Sequence, residues 1–131
     1  MKQEKEWSNS WKSSRNPRKQ RKYLYNAPFH ARNSMAGCHL SPELRNKHGR
    51  RSLPLRSGDK VKVMRGSSRN KTGKIDMVDT KKLRATIEGI EITKKDGSKV
   101  KPSFRISNLM ITEPELSDKR RENKLTKKTR E

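Results

Sequence analysis

The sequence predicts a mostly β protein: a small closed or half-closed barrel with short helices and with basic, extended segments at its N- and C-termini. Three observations lead to this expectation. Apolar and polar residues alternate with a period of two in the middle of the chain, turn-forming residues separate the alternating stretches, and both ends are polar and rich in charge. Only 27% of the 131 residues are apolar, so the chain has room for one small core.

The alternating stretches mark the expected strands. Residues 60–64 alternate valine with lysine, and residues 83–88 repeat the pattern with leucine, alanine and isoleucine. Further strands are expected at residues 75–77 and 90–92, and Asp96-Gly97 is a strong signal for a tight turn. The residues expected to face one shared core are Val61, Val63, Ile75, Leu83, Ile87 and Ile92.

Two short helices are expected before the first of these strands. Asn26 is a candidate cap for a helix that runs from Pro28 toward Gly37. The second helix has a capping serine, a proline in its first turn, an acidic residue near its positive end and a terminating glycine; these are Ser41, Pro42, Glu43 and Gly49.

These patterns divide the chain into four segments. We expect a basic RNA-binding extension at residues 1–26, a short helical segment at 27–52, a barrel at 53–112 and a charged tail at 113–131. The extension is too polar and too cationic to fold alone. Its Trp7 and Trp11 lie four residues apart, so they would share one helix face and either stack on bases or pack on a neighbouring surface.

The charge balance indicates the class of partner. The chain has 35 Lys and Arg against 14 Asp and Glu, which gives a net charge of +21. So much like charge on one small particle is unfavourable unless a polyanion neutralises it. We therefore expect a nucleic-acid partner. The single cysteine, Cys38, excludes an internal disulfide, and the N-terminus lacks the apolar region of a secretory signal, which favours a cytoplasmic protein without a membrane partner.

One loop is a candidate for close contact with phosphates. Gly58 and Gly66 can adopt the positive φ needed to enter and leave a strand, and residues 66–73 form a loop of small, polar and basic residues. Its backbone amides, together with Arg69 and Lys71, could approach an RNA backbone. The alternative is a hairpin loop whose charges are merely solvated.

The segment 58–66, followed by Gly73-Lys74-Ile75, resembles a KOW motif, the strand–loop–strand unit of certain ribosomal proteins and transcription elongation factors. The upstream segments 18–23, 26–32, 40–45 and 50–56 resemble large-subunit ribosomal protein twenty-four in its archaeal and eukaryotic form, and the likeness runs from Arg15 to Thr112. The family often has glycine where Asn70 stands, and Asn also visits the left-handed region.

This resemblance implies an SH3-like barrel of the KOW type and a structural role in the large ribosomal subunit. It implies binding to large-subunit rRNA beside neighbouring ribosomal proteins, entry early in subunit assembly and a position near the polypeptide exit tunnel. Our candidate RNA-binding residues are Arg15, Arg18, Lys19, Arg21, Lys22, Tyr23, Arg32, Arg45, Arg50, Arg51, Arg56, Arg65, Arg69, Lys71, Lys74, Lys81, Lys82 and Arg84.

Other functional classes have weaker signals. The sequence has no nucleotide-binding glycine loop or carboxylate pair in an apolar setting, so we expect no enzyme, cofactor or small-molecule substrate. Cys38 and three histidines match no zinc spacing, so we expect no metal. A KOW-containing transcription elongation factor is the main alternative, and an architectural DNA-binding protein fits the charge alone.

Overall fold

The computed structural model describes residues 7–126. Four helices are present in this range: α1 (Pro17–Tyr25), α2 (Phe29–Met35), α3 (Pro42–His48) and α4 (Lys119–Thr126). Two short 3-10 helices cover Asn9–Ser13 and Ile106–Asn108. The strands are β1 (Gly37–Leu40), β2 (Ser52–Pro54), β3 (Lys60–Val63), β4 (Thr72–Asp79), β5 (Arg84–Ile87), β6 (Ile92–Thr93), β7 (Lys99–Val100), β8 (Ser103–Arg105) and β9 (Leu109–Glu113).

Seven of these strands form one sheet in the order β2-β1-β9-β3-β4-β5-β8. All neighbouring pairs are antiparallel except β1 and β9, which run parallel. Strands β6 and β7 form a separate hairpin around the Asp96-Gly97 turn. The predicted fold class is confirmed, because the molecule is a small, barrel-like β domain with short helices.

The predicted core is largely correct. Val61, Val63, Ile75 and Ile87 are buried, since the period-two pattern of β3, β4 and β5 turns them to the same side. Leu83 is only partly buried and packs against the core from a turn, where its φ is 54°. The prediction was wrong for Ile92, which is 51% exposed because the β6–β7 hairpin stands apart from the large sheet.

Strand β1 is one of the elements that the sequence did not predict. It lies within the expected helical segment 27–52, directly after α2, and sits in the sheet between β2 and β9. Its inward residues, Cys38 and Leu40, are fully buried. A four-residue strand gives little periodicity, and its parallel partner lies far along the chain, so local pattern alone could not reveal it.

Helix α3 begins and ends as predicted. The Ser41 hydroxyl accepts a hydrogen bond from the Leu44 amide, and Gly49 closes the helix in the left-handed conformation with φ 63°. Helix α2 was predicted correctly, but its cap was not. Asn26 instead ends α1, and Pro28 precedes α2 without a capping side chain.

The expectation of an extended N-terminal arm is wrong, because residues 17–25 form helix α1. Asn16 accepts a hydrogen bond from the Arg18 amide and Pro17 occupies the first turn, which is the same start signal that we recognised for α3. The Trp7 ring stacks on Tyr23 at 5.2 Å between centroids, and Trp7 Nε1 donates to the Tyr23 carbonyl. The arm is therefore helical and covered by its own tryptophan, while residues 1–6 lie outside the described range.

The charged C-terminal tail contains a helix, α4, which packs on the domain through two buried side chains. Helix α4 is anchored by Leu125, which is 1% exposed, and by Arg121, whose side chain is 4% exposed. Arg121 donates two hydrogen bonds of 2.7 Å, one to each carboxylate oxygen of the fully buried Asp59. Residues 127–131 of the tail lie outside the described range.

Asp59 joins three parts of the chain. Besides Arg121, its carboxylate accepts hydrogen bonds from the backbone amides of Arg56 and Glu115 at 2.9 and 2.8 Å. Arg121 also donates to the carbonyls of Pro54 and Glu115. The core thus extends on both sides of the expected 53–112 barrel, since it includes Cys38 and Leu40 before it and Leu125 after it.

Gly73 of β4 lies close to the end of β5. A Cβ atom at this position would lie 2.5 Å from Ile87 Cγ2 and 2.9 Å from the Glu88 carbonyl oxygen. Both atoms are held by the sheet, so neither can retreat easily. The glycine is therefore required by space rather than by its backbone angles.

We expect Gly73→Ala to lower the free energy of unfolding by about 1–3 kcal/mol, because overpacking forces the neighbouring strand to shift. Urea denaturation followed by circular dichroism measures this. Gly37→Ala is the matched control, since its Cβ would be 3.8 Å from the nearest atom and should change stability by less than about 0.5 kcal/mol. Equal losses for both variants would contradict the steric explanation.

We expect Arg121→Met to lower the free energy of unfolding by about 3–5 kcal/mol, because it leaves the Asp59 carboxylate buried without its cation. Arg120→Met, at an exposed position one residue earlier, serves as the control in the same denaturation experiment. Adding Asp59→Asn to Arg121→Met should recover part of the loss, since the uncompensated charge is then removed. If Arg121→Met leaves the protein as stable as the control substitution does, the ion pair does not hold α4.

Candidate nucleic-acid interface

The candidate RNA-binding residues are mostly on the surface. Among them, the exposed ones are Arg15, Arg18, Lys19, Arg21, Lys22, Arg51, Arg56, Arg65, Arg69, Lys71, Lys74, Lys81, Lys82 and Arg84. The half-buried ones are Tyr23, Arg32, Arg45 and Arg50. They do not form one continuous set along the chain, but the fold brings several of them together.

The largest convergence surrounds a cavity of about 680 Å³ between the N-terminal helices and the sheet. We call it the cationic hollow. Its cations come from α1, α2, the β4–β5 turn, the start of β5 and the end of β8: Arg21, Arg32, Lys81, Lys82, Arg84 and Arg105. No carboxylate is among the residues that line it within the described part of the chain. Five of these six cations were predicted from the sequence.

Arg105 was missed by the sequence analysis. It is the direct cross-strand partner of Arg84 in the β5–β8 pair, so two arginines stand opposite each other on exposed positions. Like charges in this arrangement destabilise a sheet unless an anion lies between them. The sequence contained no signal for this pair, because the register of β5 and β8 is needed to see it.

The β4–β5 turn that carries Lys81 and Lys82 is fixed by Asp79. One carboxylate oxygen of Asp79 accepts hydrogen bonds from the Lys82 and Lys81 amides at 3.1 and 2.9 Å. These bonds hold the pKa of Asp79 below its usual value, and the bond from the Lys82 amide has the largest effect. The Ile106 amide donates to the Leu83 carbonyl and ties the end of the turn to the sheet.

Helix α1 presents a second group of cations. Arg18, Lys19 and Lys22 line a shallow depression along the helix, and the Lys22 ammonium lies 4.3 Å from the centre of the Trp11 ring. Tyr23 is less available than we expected. Its ring is half-buried and stacked against Trp7, so one of its faces is already covered.

The loop between β3 and β4 carries Arg65, Arg69 and Lys71, all exposed. Its shape is fixed by internal hydrogen bonds and by Asn70, which adopts the left-handed conformation with φ 68°. The amides of residues 69, 70 and 71 all donate to carbonyls of the same hairpin. The suggestion that loop amides bind phosphates is therefore wrong for these three positions, and the side chains are what the loop offers.

The other candidates are scattered. Arg56 forms an ion pair of 2.8 Å with Asp118, and Lys74 lies across from Lys60 in the β3–β4 pair. Arg45 is on α3, while Arg50 and Arg51 lie in the connection to β2. These residues do not line the cationic hollow.

The structure also bears on other chemistries. Burial, and secondarily the charge of Asp59, raises the pKa of the Cys38 thiol to about 12, and its Sγ donates to the Leu109 carbonyl. Within residues 7–126, no three His, Cys, Asp or Glu side chains come close enough to hold a metal. The helices in the same range are too short or too polar to cross a bilayer.

Comparison with known proteins agrees with the resemblance noted in the sequence. Residues 14–128 match the family model described as ribosomal proteins L26 eukaryotic, L24P archaeal. Three similar proteins are each named large ribosomal subunit protein uL24. That of Methanosphaera stadtmanae is 44% identical over 88% of this chain and 98% of its own length. Those of Methanospirillum hungatei and Korarchaeum cryptofilum are 46% and 44% identical, over 86% and 88% of this chain and 94% and 88% of their own.

A family match over this much of the chain, together with relatives at this identity, decides its membership. The departure at Asn70 is accommodated by its left-handed backbone. The chain therefore belongs to the family of ribosomal proteins that comprises L26 of eukaryotes and L24P of archaea.

Proposed function

We propose that this protein is a structural constituent of the large ribosomal subunit and that it binds large-subunit rRNA. The observation that carries this proposal is the cationic hollow, where cations from five elements converge without a carboxylate among the described residues that line it. So dense a positive surface requires a polyanion. The relatives named above are large-subunit proteins, which makes rRNA the polyanion to test first.

Recognition would depend on shape and charge. Duplex RNA hides its base edges in a deep, narrow groove, so protein contacts fall on phosphates, 2′-hydroxyls, loops and bulges. Arginine forks and lysines on α1, on the β3–β4 loop and around the cationic hollow suit such contacts. Because these surfaces lie on different elements, one protein could hold separate RNA segments together. This supports the further proposal of a role in early subunit assembly.

Neighbouring large-subunit proteins as partners and a position near the polypeptide exit tunnel also belong to this proposal. They follow from the family resemblance alone. The alternative is a KOW-containing transcription elongation factor. The three relatives reported above are ribosomal, which favours the ribosomal function.

A hydroxyl-radical footprint on purified large-subunit rRNA tests the proposal directly. We expect discrete protected segments, and we expect the protein to sediment with the large subunit at low salt. Protection spread evenly along the RNA, or sedimentation with RNA polymerase, would contradict it. The order of incorporation during reconstitution tests the assembly role.

Binding to rRNA should weaken steeply as salt rises, because each neutralised phosphate releases condensed counterions. The expected slope of log K against log salt is about 0.7–0.9 for every phosphate contacted. A filter-binding titration across several salt concentrations measures it. A slope equivalent to only one or two phosphates would mean that the charge of +21 serves another purpose.

Replacing Arg69 and Lys71 together with Ala should reduce that slope by about 1.5, since both are exposed on a fixed loop. The matched control is Lys60→Ala with Lys101→Ala, which removes the same charge from lysines already paired with Glu113 and Asp76. The control should change the slope by less than half as much. If both double variants lower it equally, the loop has no specific place in the interface.

A further inference from the structure

The cationic hollow is lined by apolar as well as basic side chains. Leu24 and Tyr25 at the end of α1, Met35 of α2 and Leu83 of the β4–β5 turn all contribute to its lining. Leu24 and Tyr25 are 46% and 70% exposed, and large apolar side chains that share the lining of one cavity are more informative than single ones scattered over a surface. Phosphate binding alone requires no such apolar lining.

The backbone around the hollow supports this arrangement. Leu83 adopts a φ of 54°, which is strained for a bulky side chain, and the hydrogen bond from Ile106 to its carbonyl holds it there. The neighbouring lysines are held by Asp79. The wall of the hollow is thus formed before any ligand arrives.

Two of the cations that line the hollow repel each other. Arg84 and Arg105 face each other across β5 and β8 on exposed positions, and in the described chain only a 3.2 Å hydrogen bond from Arg84 to the Ser103 hydroxyl offsets their repulsion. An anionic oxygen placed between the two guanidinium groups would relieve this repulsion and accept hydrogen bonds from both.

We propose that the cationic hollow receives one unpaired nucleotide of the bound RNA, with its base against Tyr25 and Leu24 and its flanking phosphates at Arg84 and Arg105. This inference rests on the proposed function and deepens it. A nucleotide is the ligand that combines a flat apolar face, hydrogen-bond acceptors and anionic oxygens at short range. The volume of about 680 Å³ falls within the range of small-ligand pockets, and a duplex is too wide to enter it.

The test compares two RNA duplexes that differ in one nucleotide. One is a blunt duplex of about 16 base pairs, the length that a compact RNA-binding domain covers, and the other has a single bulged uridine at its centre. We expect the full-length protein to bind the bulged duplex at least about fivefold more tightly, because stacking of a freed base adds affinity that paired bases cannot supply.

The double variant Leu24→Ser with Tyr25→Ala should remove this preference while leaving affinity for the blunt duplex unchanged, since no charge is altered. Phe29→Ala is the matched control, because Phe29 is also an exposed aromatic, at 73%, and does not line the hollow. It should keep the preference. If Phe29→Ala reduces the preference as much as the double variant does, the base does not enter the hollow.

A crosslinking measurement locates the base without any substitution. With 5-iodouridine at the bulge, irradiation should attach the RNA to the peptide that contains Tyr25. Attachment exclusively to another part of the chain would overturn the proposal, whatever the binding data show.

The remaining outcomes separate this inference from the proposed function. Steep, salt-dependent binding to both duplexes without preference for the bulge would overturn the nucleotide site and leave rRNA binding intact. Failure to bind either duplex or large-subunit rRNA would overturn both. An acidic peptide bearing one phenylalanine is the third probe. Suppose that this peptide binds the protein but not the double variant, and that the protein does not prefer the bulged duplex. The occupant of the hollow is then a protein segment and not a nucleotide.

Discussion

The ion pair between Asp59 and Arg121 is the contact on which the rest of the fold depends. Asp59 stands at the start of β3 and also fixes, through backbone amides, the segment before β3 and the segment after β9. Arg121 closes the arrangement from α4. Because both side chains are buried, each charge needs the other to offset the loss of its hydration. The two parallel hydrogen bonds also fix the position of α4 relative to β3.

This arrangement explains how the molecule keeps a highly cationic surface. Several of its carboxylates are occupied by contacts within the protein. Asp59 binds Arg121 in the core, Asp79 accepts hydrogen bonds in the β4–β5 turn and Asp118 pairs with Arg56. The arginines and lysines around the cationic hollow are left facing one another. The stability lost to their repulsion is recovered on contact with an anionic partner. The protein alone is therefore less stable than the same protein bound to a polyanion.

The features that the sequence predicted are those with local causes. The alternation of Val61 and Val63 identified β3, and the cap at Ser41 identified α3, because both signals lie within a few neighbouring residues. The cap at Asn16 was an equally local signal, and there our expectation of an extended arm gave too much weight to composition.

The features that it did not predict depend on contacts between distant residues. Nothing near Asp59 indicates a partner 62 residues later, and nothing near Arg105 reveals that it faces Arg84. The same holds for the candidate interface. Its individual cations were visible as exposed basic residues, whereas their convergence on one hollow follows from the packing of α1 and α2 beside a turn of the sheet.

The parallel pairing of β1 with β9 has a consequence for the way the molecule is made. A ribosome releases the chain from the N-terminus, so β1 and β2 emerge as a two-stranded ribbon, which is marginally stable at best in water. The other neighbour of β1 in the sheet is β9, which is synthesised much later. The hydrogen bond from Cys38 to Leu109, for example, joins residues 71 positions apart. Closing so long a loop is slow compared with forming a helix or a hairpin. Until β9 has been synthesised, the apolar face of β1 stays open to the solvent, and the barrel can close only after that point of translation.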